Sequence, residues 1–329
     1  MTIKVSAYVF VFCLGIHTLQ GQNPMTPPGK LVDVNGYKLH LMVAGEEGPA
    51  VVMFHGAGDI GLIWNLVLPE VGKFGRAVAV DQSAEGWSEH GHSIHMWQQA
   101  YDTHQALINA GIEGPYILVG HSLGGLLTRV YANMYPDEVA GVILVDATHP
   151  DVVLRIYKDS KPAWKRMRET SGNREIPAVI TSTLAKQPEL TSFQGRRDFG
   201  DKLSGFSRLD QQRFHWIYNE RPFSYVKGRS SYEAETMQLI SENAEDYSFG
   251  NKPLFVISKG IWTDKEGDEG WSNEALMHES KRLQLDLLSL STNSKQIIAE
   301  KSGHQIHLDQ PELVVEAIRE MLVLLNGKK

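Results

Sequence analysis

The chain of 329 residues contains a single cysteine, Cys13, close to its N-terminus. One thiol excludes an internal disulfide framework and any multi-cysteine zinc site. Positive charge is also scarce: 32 Lys and Arg stand against 39 Asp and Glu, a net charge of −7. A chain of that sign lacks the electrostatic footprint that phosphate backbones select, so nucleic acid is not an expected partner. There is no internal repeat and no low-complexity tract, which excludes solenoid and collagen-like architectures. What is present is ordinary globular composition, 42% hydrophobic and 22% charged, at a length suited to one large domain or a domain with an insertion.

Met1–Gln22 has the order of a secretory signal: one early cation, Lys4, an apolar stretch from Val5 to Leu19, then Gln20, Gly21 and Gln22. The stretch is short for a membrane span and His17 interrupts it. The expectation is a signal peptide over residues 1–21, cleaved to leave a secreted or periplasmic protein, with an N-terminal membrane anchor as the alternative. A lipoprotein reading of Cys13 fails on Phe12, where a small residue is needed. Cleavage near Gly21 would leave a mature chain with no cysteine, a net charge of −8 and no stable membrane span. Residues 22–30, with three prolines between Asn23 and Gly29, read as a linker.

Leu31–Val34 and Tyr37–Val43 flank Asn35-Gly36, a hairpin signal. Thereafter Ala50–Phe54, Ala77–Val80, Tyr116–Val119, Val142–Val145, Leu254–Ile257 and Gln296–Ala299 are short continuous apolar runs. Runs of that kind belong to strands buried on both faces. Helical stretches lie between and after them: Met96–Ala110, Leu126–Tyr135, Glu274–Leu290 and a last helix starting near Asp309–Pro311, with Leu313, Val314, Ala317, Ile318, Met321 and Leu322 on one face. The expected fold class is α/β: a mostly parallel sheet with an antiparallel N-terminal hairpin and helices on both faces. The core is expected at residues 31–149 and 251–329. Residues 150–250 interrupt the alternation, carry many aromatics and show no strand signal, so a helical lid insertion is expected there.

Gly120-His121-Ser122-Leu123-Gly124 follows a strand and enters a helix. A serine on so tight a turn is forced into a strained backbone, needs small neighbours two positions away, and projects its hydroxyl at the positive end of a helix. A serine needs a base, and His304 in Ser302-Gly303-His304, just after the last strand, is preferred over His307. The base needs a carboxylate. Asp146, at the end of a buried strand, is favoured over Asp264, which sits in a charged stretch. The backbone N–H of Leu123 and that of Ala57, in His55-Gly56-Ala57-Gly58, are the expected oxyanion donors.

Two rival motifs stand beside this one. Gly56-Ala57-Gly58-Asp59-Ile60-Gly61, with Asp81 twenty residues on, imitates a dinucleotide-binding fingerprint. It follows a hairpin where that fold would begin, and it leaves the serine turn and His304 unexplained. His90, His92 and His95 are close enough to suggest a metal, but no second ligand group with suitable spacing accompanies them, so a polar loop is the expectation. No cofactor and no metal are therefore expected.

The chain resembles the α/β-hydrolase superfamily, of the esterase and lipase type, from about Leu31 to Leu325. The resemblance is carried by PAVVMFHGAGDIGLIW, AVAVDQSAEGWSEHG, GPYILVGHSLGGLLTRVYANMYPDEVAGVILVDATHP and SGHQIHLDQPELVVEAI. It implies a nucleophile at Ser122, a base at His304, oxyanion donors at Leu123 and Ala57, and an acid after either of two strands, so Asp146 and Asp264 both stay open. Where relatives often carry D-R-x-G-x-G-x-S, this chain has Asp81-Gln82-Ser83-Ala84-Glu85-Gly86-Trp87-Ser88. Dehalogenases and epoxide hydrolases of similar fold use aspartate as nucleophile, and Ser122 speaks against both. The expected partner is a small-molecule acyl substrate. The alternatives are a non-catalytic binding protein on the same fold, or an acyltransferase or C–C bond hydrolase using the same triad.

Overall fold

Strands buried on both faces need cover on both faces, and the computed structural model shows how it is supplied. It describes residues 25–158, 161–172, 174–185, 190–193, 199–220, 223–226, 229–262 and 272–327. The N-terminal segment with Cys13, and the candidate acid Asp264, lie outside the described residues. One eight-stranded sheet is built from β1 (Lys30–Asp33), β2 (Lys38–Ala44), β3 (Ala50–Phe54), β4 (Arg76–Val80), β5 (Tyr116–His121), β6 (Val139–Val145), β7 (Leu254–Lys259) and β8 (Ser294–Ala299), in the order β1-β2-β4-β3-β5-β6-β7-β8. β1 pairs antiparallel with β2, and β2 antiparallel with β4. All other pairings are parallel. Asn35 and Gly36 turn the β1–β2 hairpin with φ of 70° and 90°, the left-handed conformation that Asn-Gly adopts at least cost.

Alternate residues of the central strands feed two separate cores. Val52, Phe54, Leu118 and Leu144 face one way and pack with α1 (Met96–Asn109) and α2 (Gly124–Met134) through Trp97, Leu126 and Val130. Val51, Met53, Val119 and Val145 face the other way and pack with Trp64, Val67 and α4 (Pro311–Asn326) through Val314, Ile318 and Met321. α3 (Asn273–Asp286) follows β7, and its N-cap Ser272 accepts from the Ala275 amide. The doubly covered α/β sheet with an antiparallel N-terminal edge is the arrangement expected from the sequence. Among the described residues, no helix is long and apolar enough to cross a membrane.

The insertion between β6 and β7 is mixed rather than wholly helical. Helices at Arg208–His215 and Arg229–Glu242 are accompanied by two short antiparallel pairs, Val153–Lys158 with Lys161–Arg166 and Leu190–Phe193 with Phe223–Val226. Val-Leu-Arg-Ile-Tyr-Lys mixes cations with apolar residues without strict alternation, and each pair closes on itself outside the main sheet. No period of two therefore marks these strands in the sequence. Phe206, Phe214, Ile217 and Tyr218 join the core containing Trp64 and Ile306, and Asn65 Nδ2 donates to Asp210 Oδ2 at 2.8 Å. That part of the insertion is packed onto the loop after β3.

Candidate active site

The turn after β5 holds Ser122 at φ 51°, in the left-handed region where a non-glycine residue costs about 1–3 kcal/mol. Packing maintains it. The Ser122 amide donates to Val145 O at 3.2 Å, and Ser122 O accepts from the amides of Gly125 at 3.0 Å and Thr148 at 2.8 Å. The flanking glycines are required by close approach. A Cβ on Gly120 would lie 2.5 Å from Thr128 Oγ1, and one on Gly124 would lie 2.6 Å from Phe54 O and 2.7 Å from His55 O. Since those last two are backbone oxygens leading into the Ala57 loop, Gly124→Ala is expected to destabilise the fold by about 1–3 kcal/mol. The urea midpoint of the purified variant checks this.

Asp146 ends β6 in a second left-handed position, φ 38°, with its amide donating to Ile257 O at 2.7 Å. His304 follows β8. Its Nε2 lies 3.0 Å from Ser122 Oγ and its Nδ1 lies 2.5 Å from Asp146 Oδ2. The three residues, brought from 182 positions apart, make one hydrogen-bonded row. Side-chain exposure is 45% for His304 and 3% for Asp146, so the imidazole is open to solvent while the carboxylate is sealed. Burial alone would raise the Asp146 pKa. The hydrogen bond from His304, the positive charge of Lys259 and the field of His304 outweigh it and hold the carboxyl below its ordinary value.

Leu123 is the residue before α2, where backbone N–H groups lack intrahelical acceptors. Ala57 is exposed on the loop facing Ser122. A Cβ on neighbouring Gly56 would come within 3.0 Å of Ser122 Cβ and His121 Nδ1. Beneath that loop His55 Nδ1 bonds Gly56 O at 2.9 Å, and its Nε2 lies 3.3 Å from buried Glu85. From the insertion, Tyr218 donates its hydroxyl to Gly58 O at 3.1 Å. A small cleft of about 30 Å³ lies beside Leu123, lined in part by Gln82, Glu85, Met96, Gln99 and Tyr232.

His307, the other candidate base, does not reach Ser122. It is fully buried, its ring 4.6 Å from that of Trp64 and 4.4 Å from that of His121. Burial, reinforced by the positive fields of His304, Lys202 and His55, lowers its pKa to about 3. The unfolded chain would bind a proton there near the ordinary value of 6.5, so the unfolded state holds more protons between the two values. His307 therefore withholds no stability above pH 6.5 and subtracts stability as pH falls toward 3, by up to about 1.4 kcal/mol per pH unit. His121, also pushed well down, by burial first and then by His307 and His304, acts with the same sign. The urea midpoint is expected to drop steeply from pH 6.5 to 4, and less steeply in His307→Phe, which keeps a ring against Trp64.

The rival motifs resolve into structural roles. Asp81 is fully buried, accepting from the Gly61 amide at 2.5 Å, the Trp87 amide at 2.8 Å and His40 Nδ1 at 2.8 Å. It thus ties the glycine loop to the hairpin and offers no oxygen to a ribose. His92 sits edge-on to Tyr37 at 5.1 Å, while His95 faces Glu235 at 3.5 Å and lies against the tilted ring of Tyr232 at 4.2 Å. Among the described residues, no group of three or more His, Cys, Asp or Glu is disposed to hold a metal ion.

Residues 49–171 match the family described as the alpha/beta hydrolase fold. The esterase Rv0045c of Mycobacterium tuberculosis is 27% identical over 289 residues, 84% of this chain and 84% of that protein. The chain has the α/β-hydrolase fold. A 2-hydroxy-6-oxo-2,4-heptadienoate hydrolase of Pseudomonas putida is 32% identical over 124 residues, 36% of this chain and 44% of that protein. A thermophilic esterase from Thermogutta terrifontis superposes with a TM-score of 0.56 at 17% identity, covering 90% of this chain and 99% of that one, a likeness of fold. Of these relatives, the one matched across most of the chain is an esterase.

Two residues of the site carry no motif in the sequence. His121 Nε2–H donates to the His304 carbonyl at 2.9 Å, tethering the loop that presents the imidazole. Lys259, the last residue of β7, places its Nζ 3.2 Å from Asp146 Oδ2. His121 was legible only as the variable position of the serine turn, and Lys259 only as a cation ending an apolar run.

Proposed function

We propose that this chain is an exported serine hydrolase that cleaves a carboxylic ester or a related acyl compound through an acyl-enzyme on Ser122. The observation that carries the reading is the unbroken row from Ser122 Oγ through His304 to Asp146 Oδ2, at 3.0 Å and 2.5 Å. The Nδ1–H of His304 donates to the carboxylate, which leaves the Nε2 lone pair facing the hydroxyl. His304 takes the Ser122 proton as Oγ attacks the substrate carbonyl. The new oxyanion is received by the N–H groups of Leu123 and Ala57. Collapse of the tetrahedral species expels the alcohol, which takes the proton from His304 Nε2. Water, deprotonated by the same nitrogen, then releases the acid and restores Ser122. Asp146 stays ionised throughout and stabilises the transient imidazolium.

The esterase relative across most of the chain favours an ester as substrate. The insertion, packed on the oxyanion loop through Tyr218, is read as a lid bordering the cleft beside Leu123. Export rests on the signal-like order of Met1–Gln22 and is checked by sequencing the N-terminus of the protein recovered outside the cytoplasm. A fluorophosphonate probe tests the chemistry: it is expected to label the folded protein at Ser122 and to leave Ser122→Ala unlabelled. Folded protein that takes no label, and turns over none of a panel of esters graded in acyl length, would overturn the reading in favour of a binding protein. Product analysis with and without an alcohol acceptor separates hydrolysis from acyl transfer.

A further inference from the structure

The Asp146 carboxylate has a partner that the triad does not require. Pairing of β6 with β7 sets Val145 beside Ile257, which brings the next residues of both strands to the same end of the sheet. There Lys259 Nζ lies 3.2 Å from Asp146 Oδ2, and the Lys259 amide lies 3.4 Å from Oδ1. Oδ2 therefore accepts from two donors, Lys259 Nζ and His304 Nδ1. The lysine is itself held: its Nζ is 4.4 Å from the centre of the Trp262 ring, where the π face attracts a cation, and Lys281 approaches the same ring at 5.7 Å. With 18% of its side chain exposed, Lys259 is screened only in part from the carboxylate.

We propose that Lys259 is a positioning residue of this site, fixing the Asp146 carboxylate through its ammonium on Oδ2 and its amide near Oδ1 and, by sharing Oδ2 with His304, biasing the imidazole toward its neutral, proton-accepting form. The inference rests on the reading of His304 as the base. At rest the charges of Asp146 and Lys259 cancel, so the imidazolium formed in the reaction meets a carboxylate whose field is partly spent on the ammonium. Other groups act on the same ring. His121 packs against His304 at 4.7 Å between ring centres, with His307 behind it; His55 adds positive field to both buried imidazoles and Lys202 to that of His307. All four remain in place when Lys259 alone is changed. Asp146 is the one carboxylate bonded to the His304 ring among the described residues, while Asp309 bonds the loop through Ser302 and Gly303.

The test compares wild type with Lys259→Met, Lys259→Gln and Lys259→Arg. In the neutral variants the acid limb of the kcat/KM profile for a simple ester is expected to move up by about one pH unit, and Lys259→Arg is expected to restore it. A lysine that merely packs would change the rate without moving the limb. In parallel, the His304 ring is titrated by NMR in the Ser122→Ala background, which needs no turnover. There Lys259→Met or Lys259→Gln is expected to raise the imidazole pKa by a similar amount. An unmoved His304 titration in whichever neutral variant folds overturns the proposal, whatever the enzyme's activity. A shifted titration in a protein that hydrolyses no ester sustains the role of Lys259 while the acyl-enzyme reading fails.

Discussion

Replacing Ser122 by alanine is expected to lower kcat for a small activated ester by about 10⁴- to 10⁶-fold. The reason is positional as much as chemical. Ser122 Oγ is the atom that faces His304 Nε2, and the hydroxyl next along the turn's neighbourhood, that of Thr128, is buried and donates to Gly124 O at 2.9 Å. Alanine keeps the Cβ that the left-handed turn already accommodates and leaves in place the backbone bond donated to Val145 O and the one accepted from the Thr148 amide. The thermal midpoint should therefore stay close to the parent while the rate collapses. KM should change little, because the cleft beside Leu123 is untouched. Steady-state kinetics with a chromogenic ester, read beside a thermal melt, checks both halves. A variant that retains a tenth or more of the parental kcat would remove Ser122 from the chemistry.

Asp146→Asn is expected to cost about 10⁴-fold in kcat at neutral pH. Asparagine preserves volume but carries no charge to stabilise an imidazolium. Its amide can also turn N–H toward His304 Nδ1, which favours the tautomer with the proton on Nε2, the wrong side for accepting one from Ser122. The loss is sharpened by Lys259, whose ammonium would then sit 3.2 Å from a neutral group and repel the protonated ring. Because the ionised carboxylate is held below its ordinary pKa by His304 and Lys259, parental activity should not fall through protonation of Asp146 in mild acid. Asp264→Asn, made in the charged stretch outside the described residues, is the comparison. It is expected to leave kcat near the parental value, and a loss confined to that variant would reassign the acid.

Much of this site is local information. The serine turn is legible because its constraints fall within five residues: a strand end, a serine, and glycines at positions where a Cβ would meet Thr128 Oγ1, Phe54 O or His55 O. Asp146 is legible because it terminates a run of apolar residues buried on both faces, so its side chain must emerge at the sheet's edge. Distance from the last helix favours His304 over His307. The deciding fact, however, is that His307 points into a core of rings with Trp64 and His121.

Alternation and apolar runs in the chain were enough to specify the doubly covered sheet, its antiparallel entry and the turn that carries Ser122, because such patterns are set by neighbours one to five residues apart. Pairings across more than a hundred residues leave no such trace. The alignment of β6 with β7 that brings Lys259 to Asp146, the tether from His121 to the His304 loop, and the seating of Tyr218 on Gly58 come from three-dimensional packing. Each depends on which strand lies beside which and on which way a buried ring faces. Those choices follow from sheet order and from the competition for space between two cores, and the amino-acid pattern around each residue is compatible with several answers.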